Sequence, residues 1–461
     1  MYRRQPDSNE LALGFAWGQE NDGEEIYQLK GVSQQARSTH FYVVGASGSG
    51  KTKFLEMLVQ QDISNGNGFG VIDAHGDLTE DLKGYLYLAG GNLHKRVVLI
   101  DPTDPAYTVC FNPLERVNGI APSRIASEVV DVFKKIWKES WGPRMEDLLK
   151  NTLIALVEND LTLAEIPTFI TDTDFRLSLL ENVQHPACRQ YFTRFNALTP
   201  QTRSEWSEST LNKVNAFLSD DAIRTMFVSQ KSTFDFRDIM DSKKILLVKL
   251  SRGILKGNAD LLGALILAKI QMAAFSRTNI SESERIPFYL YIDEFQTFAT
   301  ESFEQILAEA RKYRLSLVLA HQNLAQLPSS LRASVLTNCG LHTYFRVSRD
   351  DADILAKESL ATLYNDELGW ETYIQELQEL PPRTYVVKNK IDGGVVILSA
   401  PNVQAPHAEA GLSEEDFKDD VAQAEIGREY LRLRADVDDE YRARQDKAAQ
   451  NAEEDMFREK K

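Results

Sequence analysis

Cysteine is scarce: Cys110, Cys188 and Cys339 are the three in 461 residues, far apart and without C-x-x-C spacing. That excludes a disulfide framework and a cysteine zinc site, and it suits a reducing compartment. None of the seven histidines forms an H-x-x-x-H pair, so no structural metal is expected. No stretch reaches the roughly 18 uninterrupted apolar residues of a membrane-spanning helix. The nearest, Leu261 to Phe275, is interrupted by Lys269 and Gln271 and reads as an amphipathic or buried helix. The N-terminus, Met1-Tyr2-Arg3-Arg4-Gln5-Pro6-Asp7, has no apolar core of signal-peptide length. A cytoplasmic protein without its own membrane anchor is the expectation. Positive charge is not in excess either. A net charge of −16 argues against a sequence-independent DNA coat, though not against a channel that concentrates basic residues locally.

What is present centres on Gly45-Ala46-Ser47-Gly48-Ser49-Gly50-Lys51-Thr52, which fits the phosphate-binding pattern G-x-x-x-x-G-K-[ST]. The preceding His40-Phe41-Tyr42-Val43-Val44 reads as a buried strand. The following segment from Lys53 to Val59 starts a helix with Phe54, Leu55 and Leu58 on one face. Glycines let successive backbone N–H groups wrap a phosphate, and the helix N-terminus adds partial positive charge. Residues 45–53, ending at Lys53, are the expected nucleotide-binding stretch. Lys51 can reach the β- and γ-phosphates and Thr52 can ligate Mg²⁺. ATP and Mg²⁺ are the expected ligands.

Along the chain, residues 1–38 read as a β lead-in, with a turn at Asn21-Asp22-Gly23. Residues 39–118 form the first part of a nucleotide-binding core. Strands at Phe69–Asp73 and Arg96–Asp101 alternate with helices, as in a parallel sheet. Asp73, His75 and Asp101 fall at strand ends, where ligands bind; helix capping and turn formation are the alternative, and for His75 and Asp77 they explain the residues equally well. Residues 119–234 carry helical patterns punctuated by Pro167, Pro186 and Pro200 and form an all-α insertion. Its aromatics Trp137, Trp141, Phe192, Phe195 and Trp206 are expected in its core. The core resumes over 235–401 with the strand Lys244–Leu250. Phe288-Tyr289-Leu290-Tyr291-Ile292-Asp293-Glu294 then has the form of a Walker B strand. Asp293 would hold the metal shell and Glu294 would polarise the attacking water. A helix Ser302–Tyr313 leads to the strand Leu315–Ala320, whose tip offers Gln322 as a γ-phosphate sensor. A hairpin over Tyr385–Leu398 closes the core. Residues 402–461 are a charged tail, of which 414–461 read as solvated helix or disorder.

In this order the P-loop, His75-Gly76-Asp77, Phe111-Asn112-Pro113-Leu114, the helical insertion, Asp293-Glu294, Arg311-Lys312-Tyr313 and Gln322 resemble the motor domain of the type IV secretion coupling proteins (TraD/TraG-like). These belong to the FtsK–HerA superfamily of DNA-pumping ATPases, and the resemblance spans about residues 10–400. It implies an α/β fold with a RecA-like P-loop core, a mostly parallel sheet and the inserted all-α domain. It further implies a homo-oligomeric ring, expected to be a hexamer, that hydrolyses ATP between subunits and moves DNA. Arg311 aligns with the family's trans-acting arginine, with Arg346 a second candidate; the loop with Arg252 and Lys256 is by position and charge a candidate to line the DNA pore, with a solvated loop the alternative. A relaxase, relaxosome or effector protein is the implied partner. The chain departs from the membrane-bound members in starting without transmembrane helices, so a mobile-element or defence-associated relative fits as well. A protein-moving secretion ATPase and a nucleotide-gated scaffold are the rival readings.

Overall fold

The computed structural model describes residues 10–19, 25–300, 303–357 and 370–459. The turn expected at Asn21-Asp22-Gly23, and Ser302 of the expected helix, lie outside the described residues. The strands in chain order are β1 (Glu10–Gln19), β2 (Glu25–Ser33), β3 (Phe41–Val44), β4 (Gly68–Asp73), β5 (Val97–Ile100), β6 (Tyr107–Thr108), β7 (Ile245–Lys249), β8 (Phe288–Ile292), β9 (Leu315–His321), β10 (Leu341–Tyr344), β11 (Thr384–Asn389), β12 (Gly394–Ser399) and β13 (Arg432–Leu433). Contacts divide the chain into two compact units. The first is Met1–Val97, Arg237–Lys249 and Arg277–Gly427; the second is Val98–Phe236, Leu250–Ser276 and Arg428–Lys461.

The first unit is built on a mixed sheet. Parallel strands run in the order β10-β3-β9-β8-β4-β7. β3, β8 and β9 are buried along their whole length, which explains their unbroken apolar runs: an interior parallel strand is covered on both faces. β11 and β12 add to β10 as an antiparallel hairpin, and β1 and β2 extend that flank beyond β12. The mostly parallel α/β core expected from the sequence is present, and the N-terminal strands are part of the same sheet.

Helix Lys51–Ser64 follows β3, and its far end is fastened to β8. Asp62 accepts from Arg37 Nη1 at 2.7 Å, from a second Arg37 nitrogen, and from the Tyr291 hydroxyl at 2.7 Å. All three side chains are buried, and the Arg37 guanidinium lies 3.3 Å from the Tyr289 ring centroid. Such a charge pair is tolerable inside a protein only because each partner is neutralised and hydrogen-bonded.

In the second unit, between β6 and the end of Phe236, helices succeed one another: Pro122–Ile136, Pro143–Glu158, Ile166–Thr171, Thr173–Leu180, Pro186–Asn196, Pro200–Leu218 and Asp221–Phe227. Several start with proline, whose missing N–H costs nothing in the first turn. Phe192 is buried against Phe169 and Phe195, whereas Trp137, Trp141 and Trp206 are only half-buried. Helix Gly257–Phe275 also belongs to this unit and is buried nearly all round. Lys269, which breaks its apolar run, donates to the Glu115 carbonyl at 2.6 Å, and burial pulls its ammonium pKa down to about 8. A segment from Gly257 to Asn279 has the length and composition to cross a membrane, yet 89% of its most apolar 18-residue stretch is buried inside the protein.

The acidic tail departs from the expectation of a solvated segment. Helix Glu414–Gln423 buries Phe417 and Val421. Pro406 and Phe417 pack on Gly84 of helix Asp77–Ala89 so closely that a Cβ there would come within 2.9 Å of both. Farther on, β13 pairs with β6, and Val437 is buried beside Cys110 and Val228. A few well-spaced apolar residues in a charged run suffice to dock it.

Candidate functional site

The parallel strands place the sequence motifs side by side at one edge of the sheet. The loop after β3 is tied to both neighbours: Gly45 N donates to the His321 carbonyl of β9 at 3.3 Å, and Ala46 N to the Arg346 carbonyl after β10 at 2.8 Å. Asp293 N donates to the Ile72 carbonyl, so the Walker B carboxylate emerges beside Asp73. β9 lies between β3 and β8, which sets Gln322 between the phosphate loop and Asp293-Glu294.

The loop itself is built for close backbone approach. Gly48 and Gly50 have φ of 72° and 108°, a region L-side chains rarely adopt. A Cβ on Gly45 would stand 2.4 Å from the Phe345 Cβ. Lys51 is 8% exposed, and its ammonium donates to the carbonyls of Gly45 (2.6 Å) and Ala46 (3.2 Å). Burial lowers its pKa, and the nearby Glu294 and Asp293 carboxylates oppose that shift. The Ser49 hydroxyl is buried with no hydrogen-bond partner. Thr52 is exposed on the first turn of the helix.

Asp293 is 6% exposed, and its carboxyl pKa is pushed up to about 6, first by burial and then by Glu294 and Asp73. A carboxylate crowded by two others gains from a cation. Glu294 has a left-handed backbone, φ 52°, and its carboxylate accepts from Gln322 Nε2 at 2.8 Å and from Gln296 Nε2 at 2.7 Å. A nested loop, a buried lysine, an exposed threonine and this carboxylate pair together fit a polyphosphate with a divalent cation: Lys51, Thr52 and the loop amides can hold the anion, Thr52 and Asp293 the metal.

Other expected residues lie elsewhere. The Lys53 side chain pairs with Glu56 (2.7 Å) and Asp81 (2.9 Å), so this position offers the site only its backbone. Asp73 caps: its carboxylate accepts from the amides of His75, Gly76 and Thr79. Asp101 likewise binds the amide and hydroxyl of Thr103. Arg311 stands ahead of β9, at the amino edge of the sheet and opposite the phosphate loop. There it lines a cavity of about 640 Å³ with Arg314, Lys243, Gln34, Asn67 and Ser316. Arg346 is exposed next to the phosphate loop, on the loop's own edge of the sheet. In the second unit the Arg252 guanidinium is occupied by Asp260 (3.0 and 3.1 Å), whereas Lys256 is exposed. The helix expected over 302–313 divides into an α-helix Phe303–Glu309 and a 3-10 turn Ala310–Tyr313 that carries Arg311.

Two residues near the loop carry no sequence signal. Gln296 is one. Arg383 is the other: its amide donates to the Ser49 carbonyl at 3.0 Å, its backbone is left-handed (φ 63°), and its Cα packs against Gly50. Its guanidinium is exposed and meets Asn402 Oδ1 at 2.7 Å. Only a Pro-Pro-Arg sequence marks the place.

Comparison with known proteins bears on this arrangement. The fold matches the bacterial conjugative coupling protein TrwB in its unbound form, at 17% identity and a TM-score of 0.60 over 81% of this chain and 87% of that one. It matches plasmid TrwB in complex with ADP and Mg²⁺ at 16% identity and a TM-score of 0.57, over 81% and 88%. VirB4 of Thermoanaerobacter pseudethanolicus matches at 12% identity and a TM-score of 0.52, over 87% and 98%. At these identities the likeness is one of fold. No curated protein matches the chain. The profile of the type IV secretion-system coupling protein DNA-binding domain matches residues 27–338, more than half of the sequence, and the chain belongs to that family.

Proposed function

We propose that the protein is a cytoplasmic, ATP-driven DNA translocase that works as a homo-oligomeric ring, a hexamer by family resemblance, in conjugation, type IV secretion or a related mobile-element system. The observation that carries the reading is the convergence of Lys51, Asp293, Glu294 and Gln322 at one sheet edge, in a chain of a DNA-binding coupling-protein family. A relaxase, relaxosome or effector protein is the accompanying partner.

In this reading the amides of residues 45–51 and the Lys51 ammonium hold the β- and γ-phosphates. Mg²⁺ held by Thr52 and Asp293 supplies charge neutralisation at the phosphate oxygens. Among the described residues no group of three or more His, Cys, Asp or Glu could hold a metal by itself, and a cation at Thr52 and Asp293 would need phosphate oxygens or water as further ligands. Glu294 orients the attacking water and receives its proton as the new P–O bond forms and the bond to the β-phosphate oxygen breaks. Gln322, already bonded to Glu294, reports the γ-phosphate to the base. Arg311 stands at the sheet edge opposite Lys51, which suits delivery to a neighbouring subunit's site and not to its own. Arg346, exposed on the loop's own edge, suits that trans role less. With Arg252 neutralised by Asp260, contact with DNA phosphates at the 251–257 loop falls chiefly to Lys256.

The test is ATP turnover with and without single- and double-stranded DNA, with Glu294→Gln as control. Stimulation by one form, lost in the variant, supports a DNA motor and names its substrate. Turnover indifferent to DNA would favour a protein-moving or scaffolding ATPase.

A further inference from the structure

Both oxygens of the Glu294 carboxylate are anchored, and by donors from different elements. Gln322 Nε2 reaches Oε1 from the end of β9, whereas Gln296 Nε2 reaches Oε2 from the short turn Phe295–Thr297 that follows Glu294 itself. Glu294 is 6% exposed and is fixed at its backbone too: its amide donates to Asp293 Oδ1 at 3.1 Å, and its carbonyl accepts from Thr297 N at 3.0 Å. A glutamate side chain turns about three torsions. Two amide bonds, one to each oxygen, set the plane of the carboxylate while leaving each oxygen further lone pairs for a water.

The anchors are not equivalent. Gln322 is the proposed γ-phosphate sensor: its Nε2 carries two hydrogens, one of them on Oε1, and swinging the strand-tip amide toward a phosphate draws that hydrogen away from Oε1. Gln296 shares a turn with Glu294 and moves with it. We propose that Gln296 is a positioning residue for the hydrolytic step, keeping the Glu294 carboxylate aimed while Gln322 exchanges its bond to Oε1 for one to the γ-phosphate. This rests on the reading of Glu294 as the base. A glutamine two residues after the Walker B pair has no part in the phosphate-binding pattern, so nothing in the linear sequence marks it.

The test uses the full chain. Gln296→Met keeps the length and loses the donor, and Gln296→Glu keeps the shape and reverses the polarity. In both, kcat for ATP is expected to fall on the order of tenfold or more, with the ATP KM within about threefold, as for a misaimed catalytic group. With Gln296 acting through Glu294, as proposed, the loss should vanish in a Glu294→Gln background; such non-additivity is the mark of shared function. A Gln296 variant with kcat within about twofold of the parent, or a loss that multiplies with that of Glu294→Gln, overturns the proposal. Should the methionine variant not fold, the near-isosteric glutamate variant carries the same comparison. If Glu294→Gln itself turns over ATP normally, the hydrolytic reading fails. If that variant is inactive and the Gln296 variants are normal, only the present inference falls.

Discussion

Tyr42 and His321 meet beneath the phosphate loop, hydroxyl to Nε2 at 2.6 Å, one residue before Gln322. His321 is held neutral, its pKa driven down to about 3 by burial first and by the Lys51 charge second. His342, bonded to the Cys339 carbonyl and the Tyr344 hydroxyl, is lowered to about 3, and His40, which accepts the Leu317 amide, to about 4. A base depressed in the folded state stabilises the fold above its unfolded pKa of about 6.5 and loses that contribution as pH falls. Each histidine contributes a slope of about 1.4 kcal/mol per pH unit. Asp293 has the opposite sign: raised to about 6, it holds a proton in the fold that the unfolded chain has lost, and so offsets one histidine between about pH 4 and 6. Urea midpoints should therefore drop steeply from pH 7 to pH 5, and His342→Gln should make that slope shallower. A flat profile would contradict the account.

Gly45→Ala should disable the loop. The new methyl would press on the Phe345 Cβ at 2.4 Å and on the Ser49 hydroxyl at 2.9 Å. Overpacking of this kind costs about 1–3 kcal/mol. Because Gly45 opens the phosphate loop, fluorescent ATP-analogue affinity should fall well beyond what that loss of stability explains.

The Arg37–Asp62 pair should behave asymmetrically. Asp62→Ala strands a buried guanidinium and should lower stability by about 3–5 kcal/mol. Arg37→Met with Asp62→Leu removes both charges and should cost clearly less, as read by denaturant unfolding. Equal losses in the single and double variants would show that packing and not charge decides this contact.

Arg383 should show stability and binding moving in opposite directions. Replacing it with glycine relieves a left-handed backbone, a gain of about 1 kcal/mol. The same change removes the exposed guanidinium of a residue whose backbone packs on Gly50, and nucleotide affinity should fall severalfold. Calorimetric melting and nucleotide titration of Arg383→Gly decide the matter together.

The parts of the site that are local in sequence were legible as such. The glycine loop, the apolar run into Asp293-Glu294 and the tip of β9 each announce themselves within a few residues. What brings them together is not local: β9 lies between β3 and β8 only in the folded sheet, and that insertion is what sets Gln322 against Glu294. Arg383 and Gln296 acquire their places from neighbours distant in the chain or from a turn whose shape no propensity specifies. The tail did carry a signal, Phe417 and Val421 four residues apart on one helical face, but the surrounding charge masked it.

The placement of Arg311 and Lys51 at opposite ends of the same parallel strands gives the first unit a polarity. The seven residues of β9 separate them by about 20 Å. An isologous two-fold contact can join arginine to loop only in reciprocal pairs, and so it stops at two copies. The proposed ring would instead need a head-to-tail arrangement, repeated by rotation until it closes, in which each copy offers its arginine to one neighbour and its loop to the other. Handedness and facing direction would then be the same for every member of the ring, and the assembly as a whole would have a front and a back.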